Sequence, residues 1–147
     1  MRSFFLLKLA IGALLTSVVA ACGADKLVDA KPKTQWMSVM GGLPEAAELV
    51  IKDAQDWKSL WVRLSQEELP AVDFSKQMLV AVFMGVKHTG GFSVAITDVV
   101  RRRDKLEVRY RSTSVPKGGY VIQAFTSPYH IKLVLRTESP VVFKRVK

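Results

Sequence analysis

Met78-Leu79-Val80-Ala81-Val82-Phe83-Met84 is an unbroken apolar run near the middle of a chain of 147 residues. A strand with one wet face alternates polar and apolar residues, because successive side chains point to opposite faces. A strand-length run with no polar residue predicts a strand buried on both faces. The rest of the chain must supply its covers. Downstream, Phe92, Val94 and Ile96 alternate with Ser93, Ala95 and Thr97. Leu106, Val108 and Tyr110 alternate with Glu107, Arg109 and Arg111, the cleanest one-sided strand in the chain. Arg103-Asp104-Lys105 makes the turn between these two. Ile131, Leu133 and Leu135 alternate with Lys132 and Arg136, and Pro140 to Val146 reads as a closing edge strand.

Upstream, Trp36–Val39 and Leu49–Ile51 read as short strands, the first stopped by Gly41-Gly42 and Pro44. Asp53 is placed to cap a helix running to about Leu64, with Asp56 in the capping-box position. Trp57, Leu60, Trp61 and Leu64 recur at i, i+3, i+4 and i+7, which gives that helix one apolar face. Tryptophans on such a stripe act as core anchors. The fold class that follows is α+β: a mostly antiparallel sheet or partly closed barrel covered by one tryptophan-bearing helix.

The N-terminus speaks to location. Arg2 and Lys8 precede an apolar stretch, and Val19-Ala20-Ala21 leads into Cys22, the chain's one cysteine. The stretch is too short to span a bilayer, which takes roughly 20 apolar residues. A basic start, an apolar centre and small residues at the end form a signal peptide. The tetrad Val19-Ala20-Ala21-Cys22 resembles the lipobox of bacterial lipoproteins. That resemblance implies removal of residues 1–21 and acylation of Cys22, with residues 22–35 as a tether and 36–147 as a single domain. Stable anchoring takes more than one acyl chain, and a lipoprotein's diacylglyceryl group supplies that. Gly23 after the cysteine points to the outer membrane. The formal net charge of +9 favours anionic neighbours such as headgroups or acidic envelope polymers. Nucleic acid is a poor candidate partner for an exported, tethered chain.

Several pieces in order resemble the C-terminal domain of the PrcB family, named for an accessory lipoprotein of a surface protease complex. They are Trp57 with Leu60-Trp61, Leu69-Pro70, Val72-Asp73-Phe74-Ser75, Gly85, Thr89-Gly90-Gly91-Phe92-Ser93-Val94 and Thr126-Ser127-Pro128-Tyr129-His130-Ile131. Phe92 stands where that family usually has tyrosine. The resemblance implies an extracytoplasmic domain that supports a protein partner, a protease among the candidates, and no established enzyme activity.

Two loops carry the remaining chemistry. Gly85 to Gly91 joins two strands and reads as a hairpin that needs glycine to turn; successive amides there, with Lys87 and His88, could also cradle an anion. Thr-Gly-Gly-Phe with a later Ser-Pro-Tyr is similar to the loops of chagasin-type peptidase inhibitors, although Ser127 replaces their arginine. Ser127 and His130 lie three residues apart beside a proline with no nucleophile elbow, which does not make a catalytic pair. Tyr129 and His130 read as packing or capping a strand entrance. His88 and His130 have no ligand-spaced partner, so no metal or cofactor is expected. The partner surface is therefore expected at Lys87, His88, Thr89, Gly90, Gly91 and Phe92 together with Ser127, Pro128, Tyr129 and His130. Arg101, Arg103, Arg109 and Arg111 form a second, basic candidate for an anionic partner; a solvated face is the plain alternative.

Overall fold

The computed structural model describes residues 33–147 apart from residues 66, 116 and 117. The signal segment 1–21, Cys22 and most of the 22–35 tether lie outside the described residues. Seven strands and one helix follow in the order β1 (Gln35–Ser38), β2 (Ala46–Ile51), α1 (Ala54–Leu64), β3 (Gln77–Met84), β4 (Ser93–Arg101), β5 (Leu106–Thr113), β6 (Tyr129–Leu135) and β7 (Val141–Val146). They form a four-stranded sheet in the order β1-β6-β3-β2 and a three-stranded sheet in the order β4-β5-β7.

This overturns the expected α+β class. The described residues are mostly β, in two sheets with a single short helix, and neither sheet closes into a barrel. The reason lies in β3 itself. Met78 to Phe83 are all buried, so both faces of this strand need a cover. An 11-residue helix hides one face only. The strands assigned by sequence to one sheet divide, and three of them become the second cover.

On one side Leu79, Ala81 and Phe83 meet Trp36, Trp57 and Trp61, with Ile131 and Tyr129 from β6. The three indoles lie 5.0 to 6.1 Å apart, centroid to centroid, in tilted and edge-on contact. Their polar ends are satisfied: Trp57 Nε1 donates to the Pro70 carbonyl and Trp61 Nε1 to the Glu67 carbonyl, each at 3.0 Å. Asp53 caps α1 as the sequence indicated, its carboxylate accepting the Asp56 N–H at 2.8 Å. On the other side Met78, Val80 and Val82 meet Val94, Ile96, Leu106 and Val108 of the second sheet.

β4 and β5 form the expected hairpin, with a bulge between Ile96 and Asp98. β7 is an edge strand, and it pairs with β5 in parallel. The remaining pairs are antiparallel.

Candidate functional site

The segment Gly85 to Phe92 is not a hairpin. β3 pairs with β2 and β6, β4 pairs with β5, and the segment carries the chain from one sheet to the other. A glycine-rich stretch between two strands serves either connection, which is why sequence did not separate them. The crossover is held by residues 122–126 of the connection to β6, which lie against it. Lys87 and Thr126 exchange backbone hydrogen bonds of 2.7 and 2.9 Å, and Thr126 Oγ1 donates to the Thr89 carbonyl at 2.9 Å. Gly90 N–H donates to the Ile122 carbonyl at 2.9 Å. Gly91 adopts φ +84°, a left-handed conformation that glycine enters without steric cost.

The structure therefore brings both predicted loop segments to one end of the molecule, but it presents them differently. Ser127 turns inward: its Oγ and its carbonyl both accept the Gly42 N–H, each at 3.0 Å. Pro128 is fully buried. Tyr129 is 8% exposed and stacks on Phe83 with ring centroids 5.7 Å apart, and burial pushes its phenol above the ordinary value. His130 is 3% exposed, opposite Val82 on the face turned to the second sheet. Pro128, Tyr129 and His130 are therefore buried rather than displayed, and the half-buried Ser127 spends its hydroxyl on Gly42; as side chains they position backbone and core. The aromatic tip that a chagasin-like reading needs at Tyr129 is inside the protein.

His130 ties the sheets together. Its Nδ1 accepts the Ile96 N–H from β4 at 2.9 Å, and its Nε2 faces Gln35 Oε1 at 3.3 Å. An acceptor at Nδ1 requires the neutral ring with the proton on Nε2. Burial, then the nearby Lys132 charge, hold its pKa below the ordinary histidine value.

What the crossover does display is apolar. A recess of about 350 Å³ opens between Val39, Met40, Gly90, Gly91, Phe92 and Ile122. Ile122 is 69% exposed and Phe125 67%, and Val39, Met40 and Val86 are also open to solvent. His88 sits edge-on to Phe125 at 5.3 Å, and Lys87 Nζ lies 5.8 Å from the Phe92 ring centroid, within cation–π range. Val39, Met40, Ile122 and Phe125 were missed by sequence reading. Each is an apolar residue in an irregular segment, with no period to mark it; a run such as Tyr120-Val121-Ile122 outside any strand is the one available signal.

The four arginines do not form one patch. The bulge shifts the hairpin register so that Arg101 lies opposite Leu106, while Ala95 lies opposite Arg111 and Asp98 opposite Arg109. Arg109 and Arg111 share the outer face with Glu107. The Arg109 Nε contacts Glu107 Oε1 at 2.6 Å, and that hydrogen bond holds the Glu107 carboxyl below its usual range. Arg111 Nε donates to the Lys147 backbone oxygen at 3.1 Å. Arg101 and Arg103 stand at the far end, around the turn. Much of the positive charge on this face is answered internally.

Among the described residues no group of three or more His, Cys, Asp or Glu side chains is arranged to hold a metal ion. Ser127 and His130 are committed to separate backbone donors.

Fold and site together define a two-sheet β domain with a loop-built apolar recess at one end. The model of one protein family, described as PrcB C-terminal, matches residues 78–134, so this part of the chain is similar to that family. The matched span runs from β3 nearly to the end of β6 and contains the crossover and the segment that braces it, whereas Val39 and Met40 of the recess, the Trp57 helix and Leu69-Pro70 fall before it. No curated protein and no solved structure matches the chain.

Proposed function

We propose that this chain is a non-catalytic accessory protein of an extracytoplasmic protease complex, binding its partner through the recess between Val39, Met40, Phe92 and Ile122. The observation that carries this reading is the coincidence of two things. The span matching the PrcB C-terminal family holds the crossover loop and the strip that braces it, and that same end exposes a cluster of large apolar side chains. Contiguous apolar surface rimmed by polar groups is characteristic of protein-contact sites. Lys87 and His88 at its rim suit a partner surface with acidic character beside an apolar protrusion.

The mechanism is stabilisation by mass action. A module that binds the folded partner and not its open forms lowers the population of those forms, and so their degradation. Acylation of Cys22 would hold the domain at the envelope, with the outer membrane as its location, and would raise the local concentration of module and partner together.

Crosslinking in intact cells, followed by isolation through the chain, tests this reading. A peptidase among the captured proteins, lost when Ile122 is replaced by Asp, is the expected result. Capture unchanged by Ile122→Asp sinks the recess as the contact surface.

A further inference from the structure

The four outer strands of the two sheets differ in how their edges are protected. β1 is only four residues long. β4 is bulged at Ile96/Asp98, and its Ile96 N–H is taken by His130. β7 carries Lys144 and Arg145. Shortness, bulges and cationic residues are the ordinary devices that stop an edge from pairing with another chain. β2 has six residues, no bulge and one charge, Glu48.

The hydrogen-bonding row that β2 leaves unpaired among the described residues can be deduced from register. Met84 N–H donates to the Pro128 carbonyl on the β6 side. Bonding direction alternates along a strand, so even-numbered β3 residues face β6 and odd-numbered ones face β2. Phe83, Ala81 and Leu79 lie opposite Ala47, Leu49 and Ile51. The N–H and C=O groups of Ala46, Glu48 and Val50 therefore point outward. Space flanks this row on both faces. A cleft of about 560 Å³ between the sheets is lined by Ala46, Glu48, Tyr110, Ser112 and Arg145. A groove of about 270 Å³ beside α1 is lined by Leu43, Leu49 and Leu60.

We infer that β2 is a strand-acceptor site for an extended segment of a protein partner, one with a lysine or arginine facing Glu48 and aliphatic residues at the alternate positions turned toward Leu43, Leu49 and Leu60. A second copy of the chain fits poorly. Antiparallel pairing that uses the whole outward row sets Ala46 opposite Val50 of the other copy and Glu48 opposite Glu48, and like charges directly opposite are destabilising. A segment with a basic residue there gains from the same position. Main-chain bonds supply affinity and alternate side chains supply selectivity, as in other strand-addition complexes.

The test is an NMR titration of the purified chain with two capped hexapeptides of alternating valine and threonine, one with a central lysine and one with a central glutamate. The lysine peptide should shift the β2 amides, protect Ala46, Glu48 and Val50 from hydrogen exchange, and bind about two- to fivefold tighter than the glutamate peptide. Glu48→Lys should reverse that preference. Glu48→Pro removes one outward N–H at a position where an edge strand tolerates proline, and should abolish binding of both. Ile122→Asp should leave peptide binding unchanged, so failure of the recess and failure of this site are distinguishable. Three results overturn the inference: shifts confined to the 85–92 loop or absent altogether, equal binding of both peptides to both charge forms, or a concentration-dependent dimer with the β2 amides protected.

Discussion

Replacing His130 should separate a packing role from a hydrogen-bonding one. His130 accepts the buried Ile96 N–H and so joins β6 of one sheet to β4 of the other. His130→Leu keeps most of the volume but strands that donor. Leaving a buried backbone donor without an acceptor costs about 1–3 kcal/mol. With a urea m-value of about 1–3 kcal/mol/M for a small domain, 2 kcal/mol moves the midpoint by roughly 1 M. His130→Asn places an amide oxygen near the Nδ1 position and should recover much of the loss. pH supplies a second readout. The folded pKa of His130 is lowered by burial and by Lys132, so the folded state favours the neutral ring. The stability this linkage protects is complete above the unfolded value of 6.5 and declines as pH falls below it. Asp73, Glu107 and Glu138, whose pKa values are also lowered, add their own loss only at more acidic pH, below the ordinary carboxylate values of 3.8 to 4.5. Urea titration followed by tryptophan fluorescence at pH 7.5 and 5.5 reads both effects. The reasoning is refuted if His130→Leu matches the unmodified protein at pH 7.5, or if His130→Asn retains the same loss of stability between the two pH values.

Other outcomes follow from the same geometry. Trp57→Ala removes the most buried of the three clustered indoles and should cost about 3–5 kcal/mol, seen as a chain that is largely unfolded or degraded on expression. Gly42→Ala would drive a methyl group into the Ser127 carbonyl, a backbone atom that cannot swing aside; a loss of about 1–3 kcal/mol is expected, measured by thermal denaturation. Cys22→Ser should move the protein from the membrane fraction to the soluble fraction on cell fractionation.

The parts of the fold legible in sequence were those fixed by neighbours along the chain. Asp53 could be read as a cap and Trp57–Leu60–Trp61 as a stripe because both depend on residues a turn apart. Met78 to Met84 announced burial on both faces, and Leu106–Tyr110 announced one wet face. Alternation says which way side chains point, but not which strand lies alongside. The division into two sheets, the parallel β5–β7 pair and the crossover at Gly85 to Phe92 were therefore hidden. The bulge after Ile96 mattered for the same reason: one extra residue moved Arg101 away from Arg109 and Arg111. At the site, Lys87 to Phe92 stood out by glycine content. Ser127 to His130 drew attention by residue type, yet their chemistry serves the interior. Val39, Met40 and Ile122 became visible only when distant loops met.

The lifetime in cells of a peptidase captured with the chain bears most directly on the proposed accessory role. Its decay after synthesis is arrested should be compared in cells with the unmodified chain, with Ile122→Asp, and with none. Rapid decay without the chain, and with Ile122→Asp at normal expression, is the predicted result. A decay rate indifferent to the chain's presence would contradict the account.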